Sequence, residues 1–211
     1  MPPDPVLLYH ITHLDNLSGI LRGGYLHCHK EMRNSGLHPV DIAYPAIQDR
    51  RATTQVPCAP GGVLHDYVPF YFAARSPMLY ALHRNQVAGY SGGQTPILHL
   101  VTSVARLAET GHRFGFTDGH ATMSFSRFFT DPADLDSIDW SVMQGQYWND
   151  TPEDPDRKRR RQAELLVHNR VSWQAMIGIG VSDSRSEARV KTILAEYNLI
   201  LPVRVRRQWY Y

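Results

Sequence analysis

The sequence predicts an α+β fold: one domain over residues 1–211, with a mostly antiparallel sheet and flanking helices. Three observations carry that reading. Short apolar and β-branched runs mix irregularly with helical stretches, and no regular βαβα order appears. No G-x-G-x-x-G follows a strand and no P-loop pattern occurs, so neither dinucleotide signature of the parallel α/β folds is present. The chain has 211 residues, 43% hydrophobic and 20% charged, enough for one sizeable core in an ordinary globular protein.

The elements follow in chain order. "VLLYHIT" (6–12) is a short apolar run of strand type. "HLDNLSGILRGG" places Leu14, Leu17 and Leu21 at helical spacing and stops at Gly23–Gly24. Residues 30–64 show little periodicity and hold Pro39, Pro45, Pro57, Pro60, Gly61 and Gly62. So long a loop in a compact domain is usually functional or disordered. "DYVPFYFAA" (66–74) reads as a strand, with Pro69 arguing against a central, fully paired position. Ser76 reads as an N-cap, with Pro77 in the first helical position of "SPMLYALHRN". "TPILHLVTSV" (95–104) is a β-branched strand, "HRFGFTDGHA" (112–121) a strand and turn, and 134–148 helical. A charged approach, "DPDRKRRRQ", leads into the strand "AELLVH". The chain closes with a strand "MIGIGV" (176–181), a capped helix "SDSRSEARVKTILAEYN", and "VRVRRQWYY", whose alternation predicts a strand.

The formal net charge of +2 is mildly basic and permits an acidic partner without demanding one. Two cysteines, Cys28 and Cys58, argue against a disulfide scaffold and suit a reducing compartment. "MPPDPVLLYHI" lacks the basic and apolar regions of a signal peptide, and no apolar run reaches the roughly 18 residues of a membrane span. A cytoplasmic protein is expected, and, without a coiled-coil or apolar stripe, a monomer. "HCHK" (27–30) puts His27 and His29 on one strand face, but no paired Cys/His motif accompanies them, so no metal is expected.

Three short motifs carry the chemistry. In "YHIT", His10 and Thr12 share a strand face and can hold a planar amide. In "FYFAARSPMLY", Tyr71 offers a flat ring at a strand end just before a helix. In "RRRQAELLV", Glu164 stands at the head of an apolar strand, where a carboxylate is costly unless paired or working. Singly, each has a plain structural reading: a satisfied histidine, a core aromatic, a glutamate neutralised by an adjacent arginine.

In this order the three motifs resemble the His–Tyr–Glu signature of the diphtheria-toxin-like ADP-ribosyltransferases. "YHITHLDNLSGIL", "DIAYPAIQDRR", "PGGVLHDYVPFYFAARSPMLYA", "FTDGHA" and "DPDRKRRRQAELLVH" are similar, over essentially the whole chain, to the DarT toxins of DarT–DarG toxin–antitoxin systems. The resemblance implies an ADP-ribosyltransferase fold with a split sheet, and an enzyme that moves ADP-ribose from NAD to a thymine base in single-stranded DNA. It also implies a macrodomain antitoxin, DarG-like, that removes the mark.

The resemblance further implies roles for residues. Glu164 would be catalytic, orienting the nicotinamide ribose and stabilising its developing cation. His10, Ile11, Thr12, Gly19, His27, Tyr71 and Met78 would bind NAD, with an NAD-contacting element around 35–53 that ends at Arg51. Arg51 would be both cofactor-binding and catalytic. A guanidinium is a poor proton acceptor, so stabilising the deprotonated base or clamping phosphate suits it better than proton abstraction; its neighbour Arg50 shares the candidacy. The segment 116–164 would face the DNA, with His120, Tyr147, Trp148, Arg157, Lys158, Arg159 and Arg160 as candidates and Arg170 just beyond. Rings to stack bases and cations to follow phosphates are what single-stranded nucleic acid requires. Two other readings stay open: the same fold with another acceptor (guanine, RNA, a protein side chain, or the 2′-phosphate of spliced tRNA), and a non-catalytic nucleic-acid-binding module.

Overall fold

A computed structural model describes residues 1–211. The elements are β1 (Leu7–His13), α1 (Leu17–Gly23), β2 (Tyr25–His27), α2 (His29–Asn34), α3 (Pro45–Thr53), β3 (Tyr67–Tyr71), α4 (Pro77–His83), β4 (Ile97–Ser103) and α5 (Val104–Glu109). They continue with β5 (Phe114–Thr117), β6 (Phe128–Phe129), α6 (Trp140–Gln144), α7 (Arg157–Arg160), β7 (Glu164–His168), β8 (Arg170–Ser172), β9 (Gly178–Val181), α8 (Ser184–Glu196) and β10 (Val203–Val205). Eight strands form one sheet in the order β10-β9-β4-β1-β3-β7-β5-β6, and β2 and β8 form a separate pair. Every neighbouring pair is antiparallel except β9 with β10.

One seam in that sheet positions the site. β1 pairs with β4 along seven registered positions, Leu7↔Ser103 to His13↔Ile97, yet touches β3 in register only at Tyr9↔Tyr71. The residues explain the thin seam. Pro69 has no N–H to give the ladder, and its carbonyl is taken by His10 Nδ1 at 2.8 Å instead of by the β1 backbone. On its other side β3 pairs fully with β7, Tyr67↔His168 to Tyr71↔Glu164. Pro69 therefore sits in a central strand, against expectation, because the proline lies where the sheet splits.

Three hydrophobic clusters pack the sheet, and the largest spans both sides of the seam. The large core joins Leu8, Leu98, Leu100 and Phe70 to α1 and α8 through Leu17, Leu21, Val190 and Leu194. A second cluster packs α4 (Leu79, Leu82) on Ile11, Ile97 and Tyr210. A third, Val56, Leu64, Tyr67, Ala121 and Leu166, lies on the far side of the seam.

Local signals hold where the chemistry is local. Ser76 caps α4, its Oγ accepting from Leu79 N–H at 3.1 Å. Gly24 ends α1 in the left-handed region with φ 71°. Asp183 caps α8 by accepting from Ser186 N–H at 2.8 Å. Elsewhere the structure corrects the reading. The stretch 30–64 contains α3 and most of α2 rather than loop alone. The closing segment is a strand for only three residues, after which a 3-10 turn (Arg207–Trp209) tucks Trp209 against Gly180. The helical character of 134–148 is confined to a 3-10 turn (Pro132–Ser137) and α6. The strand "TPILHLVTSV" ends at Ser103, where the Ser103 hydroxyl caps α5.

Candidate active site

A cleft of about 1290 Å³ opens over the seam. β1 contributes His10, Ile11 and Thr12; α1 contributes Gly19; β2 contributes His27; β3 and α4 contribute Tyr71 and Met78. Arg51 of α3, His120 of the β5–β6 connection, Lys158 of α7 and Glu164 of β7 close the far wall. All the NAD candidates from the sequence thus line one cavity, although they come from positions 10 to 78.

Glu164 is 4% exposed and Arg51 9%. The Nη1 of Arg51 donates to both carboxylate oxygens of Glu164 at 3.0 Å. Oε1 also accepts from Ala121 N–H at 3.3 Å. The glutamate is therefore neutralised, but by a partner 113 residues away and not by the adjoining arginines. Tyr71 stands opposite Glu164 in the β3–β7 register, which sets its ring on the same face as the carboxylate. Burial and the nearby Glu164 push the Tyr71 phenol upward, so it stays protonated, and its hydroxyl rests on the sulfur of Met78 at 3.7 Å.

Burial disfavours the charged form of His10 and His120 in the cleft. Burial pushes His10 down to about 4. A carbonyl only accepts, so His10 carries its proton on Nδ1, toward Pro69 O, and leaves the Nε2 lone pair unused. His120 is also lowered, chiefly by burial. Its Nδ1 accepts from Thr122 N–H at 3.2 Å, which puts its proton on Nε2.

Several buried polar atoms of the cleft have no protein partner: Arg51 Nη2, His27 Nδ1 and His29 Nδ1. Buried donors and acceptors are rarely left unpaired in native proteins, and exceptions commonly mark ligand sites. The donor set suits a polyanionic ligand with ribose hydroxyls and a planar amide. No group of three or more His, Cys, Asp or Glu side chains comes together to hold a metal ion.

The DNA-side candidates divide. His120, Lys158 and Trp148 line the cleft. Tyr147, 73% exposed, lies outside it, as do Arg157, Arg159, Arg160 and Arg170. The free basic block expected from "DRKRRR" is largely spent inside the protein. Arg159 is paired with Asp118 at 3.0 Å and Asp156 at 2.7 Å. Arg160 is paired with Asp139 and Asp154. Arg157 Nη2 donates to the Tyr147 carbonyl at 2.8 Å. Arg161 donates to the carbonyls of Met143 at 3.0 Å and Gly145 at 2.9 Å, at the end of α6. Arg170 lies over the ring of Tyr25 at 4.2 Å, in the small sheet. Of the run 157–161, Lys158 alone faces the cleft. Arg50 is exposed outside the cleft, and Arg51 is buried in it.

The sequence reading missed two other wall residues, Gln48 and His65. Gln48 of α3 accepts from His65 Nε2 at 2.8 Å, and His65 packs on His29 with ring centroids 4.1 Å apart. Gln48 lies three residues before Arg51 on a helix, a spacing that could have flagged it. Trp148 is fixed by its indole N–H, which donates to the Tyr211 hydroxyl at 2.9 Å; that hydroxyl donates to Ser76 O at 3.2 Å.

A split sheet with His and Tyr at the seam and a buried Glu heading the adjacent strand defines the class of ADP-ribosyltransferases. Comparisons with known proteins place the chain within that class. Residues 9–211 match the family described as "ssDNA thymidine ADP-ribosyltransferase, DarT", and the chain belongs to that family. It is 45% identical over 211 residues to a DNA ADP-ribosyl transferase of Thermus sp. (strain 2.9), covering 99% of this chain and 98% of that one. The fold matches solved structures of Thermus sp. 2.9 DarT. The complex with ADP-ribosylated ssDNA gives a TM-score of 0.93 at 43% identity, covering 100% of this chain and 99% of the other. The NAD+ complex gives 0.88 at 41% identity, covering 100% of both chains. A more distant relative, a DNA ADP-ribosyl transferase–DNA ADP-ribosyl glycohydrolase fusion protein of Thermosipho africanus, is 27% identical over 194 residues; this chain covers 46% of it.

Proposed function

We propose that this chain is an NAD-dependent DNA ADP-ribosyltransferase acting on thymine in single-stranded DNA, with residues 1–211 as one catalytic unit. The observation that carries the reading is the buried Glu164–Arg51 pair in the cleft where His10, Thr12 and Tyr71 converge. The neutral His10 presents a lone pair at Nε2 that can accept from a ribose hydroxyl. Tyr71, protonated and apolar-faced, suits stacking on the nicotinamide ring.

The reaction exchanges one glycosidic bond for another. The bond between C1′ of the ribose and nicotinamide breaks, its electron pair leaving with neutral nicotinamide. A thymine nitrogen forms the new bond to C1′ and loses its proton. In thymidine N1 already carries deoxyribose, so N3 is the nitrogen left. Positive charge develops on the sugar, and negative charge placed beforehand at that point lowers the barrier. Glu164 supplies that charge on a rigid strand. It is also placed to accept the N3 proton, since it is the one buried carboxylate that lines the cleft. The unpartnered Nη2 of Arg51 is a donor for the thymine carbonyl as the base becomes anionic, or for phosphate.

On the DNA side, His120, Lys158 and Trp148 form the rim: a neutral N–H donor, a free cation and a ring. Tyr147 and Arg157 adjoin it through the Arg157–Tyr147 bond. Arg170 lies away from this rim, and Arg159 and Arg160 act from behind the wall. We read the chain as a monomer. No helix is long and apolar enough to cross a membrane, and we read the enzyme as cytoplasmic. The fusion of transferase to glycohydrolase in the Thermosipho relative supports a DarG-like macrodomain partner that reverses the mark.

Mass spectrometry of thymine-containing oligonucleotides incubated with the protein and NAD tests the reading. The expected result is an added ADP-ribose on single-stranded DNA and release of nicotinamide. Modification of RNA or protein in place of DNA, or of guanine in place of thymine, would refute it.

A further inference from the structure

The arginine that the sequence offered as a phosphate contact does something else. Arg159 is 13% exposed at its side chain, and every nitrogen of its guanidinium donates within the protein. Nε and Nη2 donate to the two oxygens of Asp156 at 2.7 Å each. Nη1 donates to Asp118 Oδ1 at 3.0 Å and to Ser126 Oγ at 3.2 Å. The backbone carbonyl of the same residue accepts from His120 N–H at 3.0 Å. One residue thus holds the β5–β6 connection near its start (Asp118 and His120) and near its end (Ser126).

That connection matters because of what it delivers. Ala121 N–H donates to Glu164 Oε1, and the His120 ring lines the cleft beside it. Ser126 completes the link: its hydroxyl donates to His120 O at 2.8 Å while accepting from Arg159. Gly119 packs so closely on the Arg159 guanidinium that a Cβ there would collide with it. Asp118 is itself saturated, accepting also from Arg127 N–H at 3.0 Å and Arg127 Nε at 2.9 Å. A guanidinium fork already satisfied by two carboxylates and a hydroxyl is not free to follow a DNA backbone.

We propose that Arg159 is a positioning residue: it clamps the segment 118–126 so that the Ala121 N–H and the His120 ring are held against Glu164. The inference rests on the transferase reading above for its catalytic consequence. A lysine cannot span Asp156 and Asp118 at once, since it lacks the planar fork. Arg159→Lys keeps the charge and breaks the clamp, which separates the two roles.

The test uses the full chain, NAD and a single-stranded thymine oligonucleotide. For R159K the clamp predicts a fall in kcat of about 10- to 100-fold, the scale of a misplaced reacting group, with the KM for NAD within about twofold. The slope of log Kd against log salt for the oligonucleotide should stay at the wild-type value, and amide exchange of 118–126 should quicken. Lys158→Gln should lower that slope by about 0.7, as one lost phosphate contact on a single strand does. Asp118→Asn, which weakens the clamp from the loop side, should repeat the R159K pattern and replaces it if R159K does not fold. An R159K protein with the salt slope of K158Q, or with wild-type exchange over 118–126, would overturn the clamp. The exchange measurement needs no acceptor. A wild-type chain that leaves thymine unmodified defeats the transferase reading alone, while quickened exchange in R159K still upholds the clamp.

Discussion

At the scale of single residues, the cleft holds a buried charge pair that shape alone does not favour. Taking Glu164 and Arg51 out of water is expensive, and their mutual attraction with a few hydrogen bonds repays that only in good geometry. One nitrogen of Arg51 serves both carboxylate oxygens and the other serves nothing in the protein. Such an arrangement is half-built for stability and complete only with a ligand. Glu164→Gln keeps a carbonyl oxygen for Arg51 but removes the anion. It should lower the transfer rate by on the order of 10²- to 10³-fold, the range seen when a preorganised charge-stabilising group is lost, with oligonucleotide binding retained. Wild-type turnover in E164Q would remove the glutamate from the mechanism. Glu164→Ala is the poorer probe, because a buried, unpaired Arg51 would cost about 3–5 kcal/mol of stability and confuse the two effects.

At the scale of elements, the site depends on ends and edges. α4 begins at Ser76, whose side chain caps the helix and whose carbonyl receives the Tyr211 hydroxyl that also steadies Trp148. Ser76→Ala should cost about 1 kcal/mol by loss of the cap, measurable as a lower denaturant midpoint at unchanged slope. A change below a few tenths of a kcal/mol would show that Pro77 and packing hold α4 without it. This cap was legible in the sequence, because Ser-Pro ahead of an apolar helical run is a local signal. The role of Pro69 was not. Its missing N–H was visible, but the place where it falls, at the seam and not at an edge, depends on which strand comes alongside. The same holds for "DRKRRR". A run of positive charge looks like a surface until Asp118, Asp139, Asp154 and Asp156 are folded against it, and Asp118 lies about 40 residues upstream of its partner.

At the scale of the molecule, histidines kept neutral inside the fold make stability depend on pH. His10, His65 and His99 are each pushed down to about 4 by burial. Unfolded, they bind protons below their ordinary value near 6.5. The folded state refuses those protons until about pH 4, so its advantage is full above about 6.5 and is lost as pH falls toward 4. His99 is fully buried, with Nε2 on Ala74 O at 3.0 Å and Nδ1 at 3.2 Å from the Tyr210 hydroxyl, and its share is on the order of 3 kcal/mol. Unfolding free energies measured from pH 7.5 to 4.5 should fall steeply, and His99→Asn should flatten the curve. A wild-type curve flat over that window would mean the buried histidines are matched by equal shifts when unfolded.

The sequence by itself determined the class of fold, the main strands and caps, and the His, Tyr and Glu around which the cleft forms. Those features are written in periodicity and in residue types at short range, and a carboxylate heading an apolar strand announces its own cost. Only the tertiary structure decided which arginine meets Glu164, which cations remain free, and why Pro69 can lie mid-sheet. The pairing of Glu164 and the place of Pro69 turn on contacts 113 and 59 positions apart. The arginine run is consumed by distant as well as nearby carboxylates, so local spacing does not tell which partner the folded chain brings within hydrogen-bonding reach.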